Sequence, residues 1–404
     1  MTSRGLVRRT FASLGERDFR VFWVGQLISV TGTWMQSVAQ GWLVLELTGS
    51  PFLVGLAVAA RSIPVLVLAI PAGIVADRFD RRRVIVWTSL TGLGVSGALA
   101  ALTLAGRIDL PMILALALLG GTANALEMPA RQSLVAELAG PRRLANAIAL
   151  NSLLFNGARV LGPALAGLIV AAFGPGWAFA VNAASYLPVV TGLLIIAPAA
   201  ADRPVVRVRG AVGQLLAYLR TETRVTLLLA LLAVQTTLAS GHLILGPAVA
   251  KALGQGAEGL GFLLAATGLG AVVAGLRLAA FPDSGRRWPA LLLAGLILGA
   301  ALGSLAVVRA YPLALLPFAA AGLGMVTFNA TANTIIQSNV PDALRGRVMS
   351  LYTIVQLGLM PVGSLLVGAI AERAGALEAL AVGGVAWAVV VAAAFGLAGR
   401  LRTL

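Results

Sequence analysis

A dozen apolar runs, each close to the length of a bilayer crossing, dominate this sequence. A helix needs about 20 mostly apolar residues to cross the ~30 Å hydrocarbon core of a membrane. No water reaches that core to satisfy a backbone N–H or C=O, so only helices and closed barrels can span it. A barrel would show segments of about ten residues with alternating polarity, whereas these runs are apolar throughout. The pattern predicts spans over 21–46, 52–76, 84–105, 111–130, 145–172, 177–197, 226–250, 259–281, 289–309, 312–337, 344–371 and 376–399. Composition points the same way, with 59% of the 404 residues hydrophobic and only 11% charged, far from the makeup of a soluble domain.

The formal charge of +15 raises the question of nucleic acid, and the placing of the charges answers it. A nucleic-acid module gathers its basic residues on one folded face; here they occupy alternate loops. With the N-terminus in the cytoplasm, all but six of the 30 Lys and Arg lie on the cytoplasmic side. Arg107, Lys251, Arg309 and Arg373 fall outside, and Arg61 and Arg159 fall within spans. This positive-inside bias predicts cytoplasmic termini and a lipid bilayer, not nucleic acid, as the partner. Residues 1–20 read as a cytoplasmic segment, because the apolar run after them is too long for a signal-peptide core. The chain has no cysteine, which excludes disulfides and thiolate ligands. Its only lysine is Lys251, so it has no phosphate-binding G-x-x-x-x-G-K-[ST] loop and no ATP-driven step of its own. No cofactor and no metal are expected, and a monomer is.

The longest polar stretch, 198–225, separates two groups of six spans, 21–197 and 226–400. The groups look related. Pro141 and Leu144 recur as Pro341 and Leu344, Gly162 and Gly167 as Gly363 and Gly368, and Ala72-Gly73 as Ala274-Gly275, all at an offset near 200. The predicted fold is therefore an all-α integral membrane protein of 12 helices in two pseudo-symmetric six-helix bundles, a plan shared by many secondary transporters.

Between the second and third spans stand Gly73, Asp77, Arg78, Arg81 and Arg82. They resemble the G-x-x-x-D-R-x-x-R-R signature of the major facilitator superfamily. Charge-assisted bonds from such arginines to neighbouring helix ends can latch one side of a transporter. The second half keeps Gly275 and its arginines but has Ala279 where the acid would fall, so the latch is expected to be asymmetric. In the fifth span Gly162-Pro163 and Gly167 are similar to the G-P-x-x-x-G element of exporters in that superfamily. Small residues there allow close helix approach, and a proline removes a backbone bond. Glu127 to Ser133, Leu144 to Ser152, and Arg17-Asp18-Phe19-Arg20 resemble the bacterial branch that includes the enterobactin exporter and macrolide efflux proteins, the transmembrane secretion effectors. The resemblance implies a bacterial inner-membrane exporter of small molecules, such as drugs, macrolides or siderophores, coupled to protons and working by alternating access. Other drug antiporters carry an arginine in the fourth span, where this chain has Ala117, so their coupling scheme does not carry over.

On the first span Gln26, Thr33, Gln36 and Gln40 follow helical steps, which places them in one uncharged stripe. Asn124, Gln235, Asn329 and Asn333 lie in the fourth, seventh and tenth spans, with Asn156 and Gln356 in the fifth and eleventh. In the superfamily the first, fourth, seventh and tenth helices line the central cavity, and the resemblance makes these residues substrate candidates. The alternative is that they join helices to one another. Ionisable groups inside a membrane are costly and so point to function. Glu127, Arg61, Arg159 and His242 are accordingly the proton-coupling candidates. Glu127 either titrates or stays paired with Arg131 one turn away. Arg61 and Arg159 either meet an anion or cap backbone near Pro64 and Pro163. One histidine and no cysteine leave no nucleophile or metal constellation for an intramembrane enzyme. Uptake, or flipping of lysophospholipids and other lipids on the same fold, is the second transport reading. The topology is directly checkable: a membrane-impermeant maleimide should label Arg107→Cys and Arg373→Cys in intact cells and Arg203→Cys only after lysis, without background from native cysteine.

Overall fold

The computed structural model describes residues 12–140, 143–196, 211–280 and 287–401. Within them the regular structure is helical. The helices are α1 Arg17–Thr48, α2 Pro51–Arg78, α3 Arg81–Leu104, α4 Leu110–Ala139 and α5 Leu144–Phe173. Then come α6, in the segments Pro175–Ser185 and Leu187–Ile195, and a separate linker helix, Ala211–Thr221. The second half holds α7 (Thr223–Val234, Gln235–Ala239, Gly241–Ile244 and Gly246–Ala252), α8 Ala257–Ala280, α9 Arg287–Ser304 and α10 Tyr311–Asn339. It closes with α11 (Asp342–Thr353, Ile354–Gly358 and Met360–Ala374) and α12 Ala376–Leu401.

Eleven of these helices are long and apolar enough to cross a membrane, counting described residues only. Of the numbered helices the other, α1, has 32 residues, ample for a crossing, but its glutamines, serines and threonines dilute its hydropathy. Those polar side chains are turned inward, since Gln26, Ser29, Gln36 and Gln40 are all buried. The outer surface is the reverse of a soluble protein's, with Val67, Trp87, Leu194, Leu276 and Leu316 more than half exposed. Helix ends carry local signals. Asp80 and Asp109 cap α3 and α4 by accepting from Arg83 N (3.1 Å) and Met112 N (2.9 Å), as short acids at that position do. Gly174 and Gly375 terminate α5 and α11 with φ of 86° and 99°, a backbone region in which a side chain is strained. The two glycines stand 201 positions apart, so the internal repeat extends to the way its helices stop.

Contacts divide the chain into two compact units, Met1–Leu43 with Ile63–Val205, and Val44–Ser62 with Val206–Leu404. The division departs from a simple cut along the chain, because the end of α1 and the start of α2 group with the second half. Within that second unit Glu372 explains part of the grouping: its Oε2 accepts from Ser50 Oγ (2.8 Å) and Phe52 N (3.2 Å). This caps the N-terminus of α2, where the helix dipole favours an anion. In the first unit a cluster around Phe19, Phe22, Ile85, Leu134, Leu150 and Leu193 closes one end of the bundle. The linker helix is tied to the second unit by Arg347 Nη1 donating to Gln214 Oε1 (2.5 Å) and Tyr218 Oη to the Asn339 carbonyl (3.3 Å). Burial, and then the nearby Glu222 charge, raise the Tyr218 phenol above its usual pKa.

Helix contacts are made through glycine. A Cβ at Gly322 of α10 would overlap the carbonyl oxygen of Thr267 on α8, and one at Gly270 of α8 would overlap that of Ala319 on α10. One at Gly324 would come within 2.8 Å of the Ala294 carbonyl on α9. Lipid tails are as apolar as leucine, so close packing rather than hydrophobic burial holds such helices together. Gly322→Val should destabilise the second unit by about 1–3 kcal/mol, the usual cost of overpacking, and lower the yield of monodisperse protein in detergent; the apolar, exposed substitution Leu316→Val should not.

Candidate functional site

Four clusters of polar side chains stand out, three in the first unit and one in the second. The first is the arginine-rich loop between α2 and α3. Arg81 Nη1 pairs with Glu137 Oε2 at 2.8 Å, reaching the last turn of α4. Arg82 Nη2 donates to the Leu193 carbonyl at 2.6 Å, reaching the end of α6. Charged donors are well suited to such helix ends, so the loop binds three helices at one edge of the bundle. Arg78 is exposed, and a Cβ on Gly73 would meet nothing within 4 Å. The Asp77 and Ala279 side chains and residues 281–286, on which the expected asymmetry of the latch turns, lie outside the described residues.

The second cluster is the seam between α1 and α5. Gly162 brings the helices together, since a Cβ there would lie 2.5 Å from Trp34 Cβ and 2.8 Å from the Thr31 carbonyl oxygen. Lower in the seam Trp23 Nε1 donates to the Leu150 carbonyl at 3.0 Å. Two guanidinium groups lie on aromatic rings here: Arg159 over Trp34, 5.2 Å from the centroid, and Arg131 of α4 over Phe155, 4.7 Å. Arg131 also pairs with Glu127, one turn before it, at 3.2 Å. The other Glu127 oxygen accepts from Thr88 Oγ1 at 3.4 Å. Pro163 and Gly167 are buried on α5.

The third cluster is a buried hydrogen-bond network across α1, α3 and α6. Gln36 Oε1 accepts from Ser96 Oγ and from Asn182 Nδ2, each at 2.6 Å. Asn182 Nδ2 also donates to Ser96 Oγ (3.0 Å), and Ser185 Oγ donates to Asn182 Oδ1 (3.0 Å). Nearby, Thr33 donates to the Ser29 carbonyl at 3.0 Å and lies 3.4 Å from the Tyr186 hydroxyl.

The fourth cluster belongs to the second unit and repeats the second with different chemistry. Gly363 sets α11 against α7 as Gly162 sets α5 against α1, with a Cβ there 2.7 Å from the Thr236 carbonyl oxygen. Both facing segments are π-helical, Gln235–Ala239 and Ile354–Gly358, a local widening often found at functional positions. Thr236 Oγ1 donates to Gln356 Oε1 at 3.2 Å, and Gln356 Nε2 to Tyr352 Oη at 3.4 Å. Gln235 is buried and its Nε2 has no partner among the described residues, and the same holds for Asn329 Oδ1 on α10. His242 is buried, with Nδ1 3.2 Å from the Ala239 carbonyl and its ring edge-on to Phe318.

The remaining predicted residues are dispersed. Asn333 accepts from Gln337 at 3.0 Å and Asn156 donates to the Ser152 carbonyl at 2.8 Å. Gln26 and Gln40 are buried, Asn124 is half-buried, and Arg61 is half-buried on the part of α2 that groups with the second unit. Among the described residues no three acidic, histidine or cysteine side chains are placed to hold a metal ion.

Sequence reasoning missed the partners. Ser96, Asn182 and Thr88 are polar residues in apolar spans and could have been found by the rule that polar groups in a membrane need company. Trp34 and Phe155 carried no such signal, since an aromatic in a span is ordinarily packing. The π-helical turns were also unreadable.

The chain is similar to known proteins in sequence and in fold. The family described as transmembrane secretion effector matches residues 8–403. The enterobactin exporter EntS of Shigella boydii is 29% identical over 356 residues, covering 87% of this chain and 84% of the relative. That of Escherichia coli shows the same identity and coverage. Among solved structures, a bacterial homologue of the human lysosomal transporter Spinster covers 95% of this chain with a TM-score of 0.74 at 14% identity. A nucleoside transporter covers 94% with 0.75 at 12%. At such identities the structures speak to fold alone. Within the buried network, Asn182→Ala should cost about 1 kcal/mol, the scale of an interhelical hydrogen bond in a membrane, and lower the thermal midpoint in detergent. Exposed Asn156→Ala should leave that midpoint unchanged.

Proposed function

We propose that this chain, which belongs to the transmembrane secretion effector family of the major facilitator superfamily, exports a small organic molecule from the cytoplasm in exchange for protons. The observation that carries the proposal is end-to-end similarity to exporters: the enterobactin exporters match over 87% of this chain, at both halves and across the linker. Export of a siderophore, macrolide or drug by alternating access follows from that kinship. The bacterial inner membrane and cytoplasmic termini complete the proposal, supported by the alternation of basic loops along the sequence; a monomer remains the proposed state.

Glu127 is the proposed proton site. It sits on α4 with one oxygen on Arg131 and the other near Thr88, so protonation would remove its hold on Arg131 and leave that cation to Phe155. A carboxylate that alternates between ion pair and neutral acid can tie proton uptake to a shift of the helices around it. The polar residues of the α7 and α11 seam, Gln235 and Gln356, are proposed cargo contacts, supported by the unfilled hydrogen-bonding capacity of Gln235.

The test uses purified protein in liposomes with a trapped pH-sensitive dye, to which macrolides, catecholate siderophores and lipophilic cations are added in turn. One class should trigger proton movement, and Glu127→Gln should reduce it at least tenfold while cargo binding persists. Proton movement unchanged in Glu127→Gln would remove Glu127 from the role, and silence toward every class would count against exchange.

A further inference from the structure

One carboxylate of this chain serves a helix other than its own. Glu372 stands in the last turn of α11, whose final segment is Met360–Ala374, and the helix dipole disfavours an anion at that end. Its Oε2 accepts instead from Ser50 Oγ at 2.8 Å and from Phe52 N at 3.2 Å, in the first turn of α2, where an anion is favoured. Ser50 Oγ in turn accepts from Leu53 N at 3.2 Å. The carboxylate thus completes the cap of α2, and its own place is favourable only while α2 is there to receive it. At the offset of 201 that relates Gly174 to Gly375, Ala171 stands where Glu372 would. The acid is therefore no requirement of the repeated frame.

The contact is built to part. Glu372 is exposed and Ser50 and Phe52 are half-buried, so water can take over both hydrogen bonds as they break. Beside them the helices meet through backbone. A Cβ at Gly55 would overlap the Ser364 carbonyl oxygen, and one at Gly368 would lie 3.1 Å from Phe52 Cα and 3.2 Å from the Pro51 carbonyl oxygen. At these glycines no side chain has to leave a hole when the surfaces separate. The course of the chain adds a second constraint. α1 and α2 each run on through the boundary between the two units, which falls after Leu43 and before Ile63. A movement of one unit must either bend both helices there or free their joined ends from Glu372. α2 has Pro64 at the boundary, where it could bend, but α1 has no proline along its length. A bend in α1 at the buried Leu43 would strain backbone bonds that water does not reach. Release of Glu372 merely exchanges exposed bonds for bonds to water, and is the less costly course.

We infer that Glu372 is a reversible latch: with Ser50 and Phe52 it holds the turn between α1 and α2 against the end of α11 in one conformation, releases it in another, and sets the balance between the two. By the proposed topology this end of the protein faces outward. The inference rests on the export reading only in taking the two conformations to be steps of a transport cycle.

The experiment measures the distance between spin labels on the full chain in nanodiscs by pulsed electron resonance. Leu47→Cys and Ala374→Cys place the labels at exposed positions on either side of the contact, and the chain has no cysteine of its own to interfere. The distribution should hold a dominant short distance and a second, longer one. Glu372→Ala should raise the longer fraction at least threefold. Glu372→Gln, which keeps an acceptor but not the charge, and Ser50→Ala, which removes one of the two donors, should each raise it by less. These two milder variants carry the test if Glu372→Ala fails to fold. One distance shared by every variant, with only the thermal midpoint lowered, would make the contact a permanent cap and overturn the inference. A longer fraction that none of the three variants raises would overturn it too. Its fate is separable from that of proton exchange. Fractions that respond to Glu372→Ala beside a silent liposome assay would keep the latch and remove the exchange. Proton movement in a chain whose label distance never changes would do the reverse.

Discussion

Hydrocarbon offers a backbone no hydrogen-bonding partner, and the rest of this structure follows from that. Each crossing has to satisfy its own N–H and C=O groups, so each is a helix, and its length is set by the bilayer rather than by the protein. The same solvent gives those helices no hydrophobic reason to associate. Association comes instead from backbone contact, for which glycines such as Gly162, Gly270, Gly322 and Gly363 supply the surfaces. Where Gly322 meets Thr267 or Gly363 meets Thr236, a single methyl group would separate the helices.

Polar side chains obey the same constraint with more freedom. Gln36, Ser96, Asn182 and Ser185 bond to one another, which ties three helices together. Glu127 and Arg131 neutralise one another and lean on Thr88 and Phe155. Arg81 and Arg82 spend their charge at helix ends. Arg159 lies over the Trp34 indole, and no acid among the described residues pairs with it.

Much of this was legible in the residues alone, and what was not has physical causes. The crossings could be read because a long apolar run in water has few alternatives, and the family could be read because the loop after α2 carries charges at fixed spacing. The first helix was readable by its place, although its glutamines lower its hydropathy below that of the other crossings. The grouping of Val44–Ser62 with the second half was not readable, since it depends on Glu372 meeting Ser50 and Phe52 across more than 300 positions of sequence. Of the predicted site, the polar stripe of α1 was visible as a stripe, but periodicity could not tell that Gln36 spends its acceptor on Ser96 and Asn182. Nor could it tell that Arg131 holds Glu127 while no acid among the described residues holds Arg159, because pairing depends on which rotamers neighbouring helices permit.

The correspondence between Gly162 and Gly363 carries an evolutionary consequence. The two halves repeat one close helix contact, and each keeps the glycine that lets its helices meet. Once the contact is guaranteed by the backbone, the side chains around it are released from structural duty and can diverge. One copy has acquired aromatic and cationic groups at Trp34, Phe155 and Arg159, the other neutral hydrogen-bonding groups at Thr236 and Gln356. Relatives of this chain should accordingly vary most at those positions and least at the two glycines.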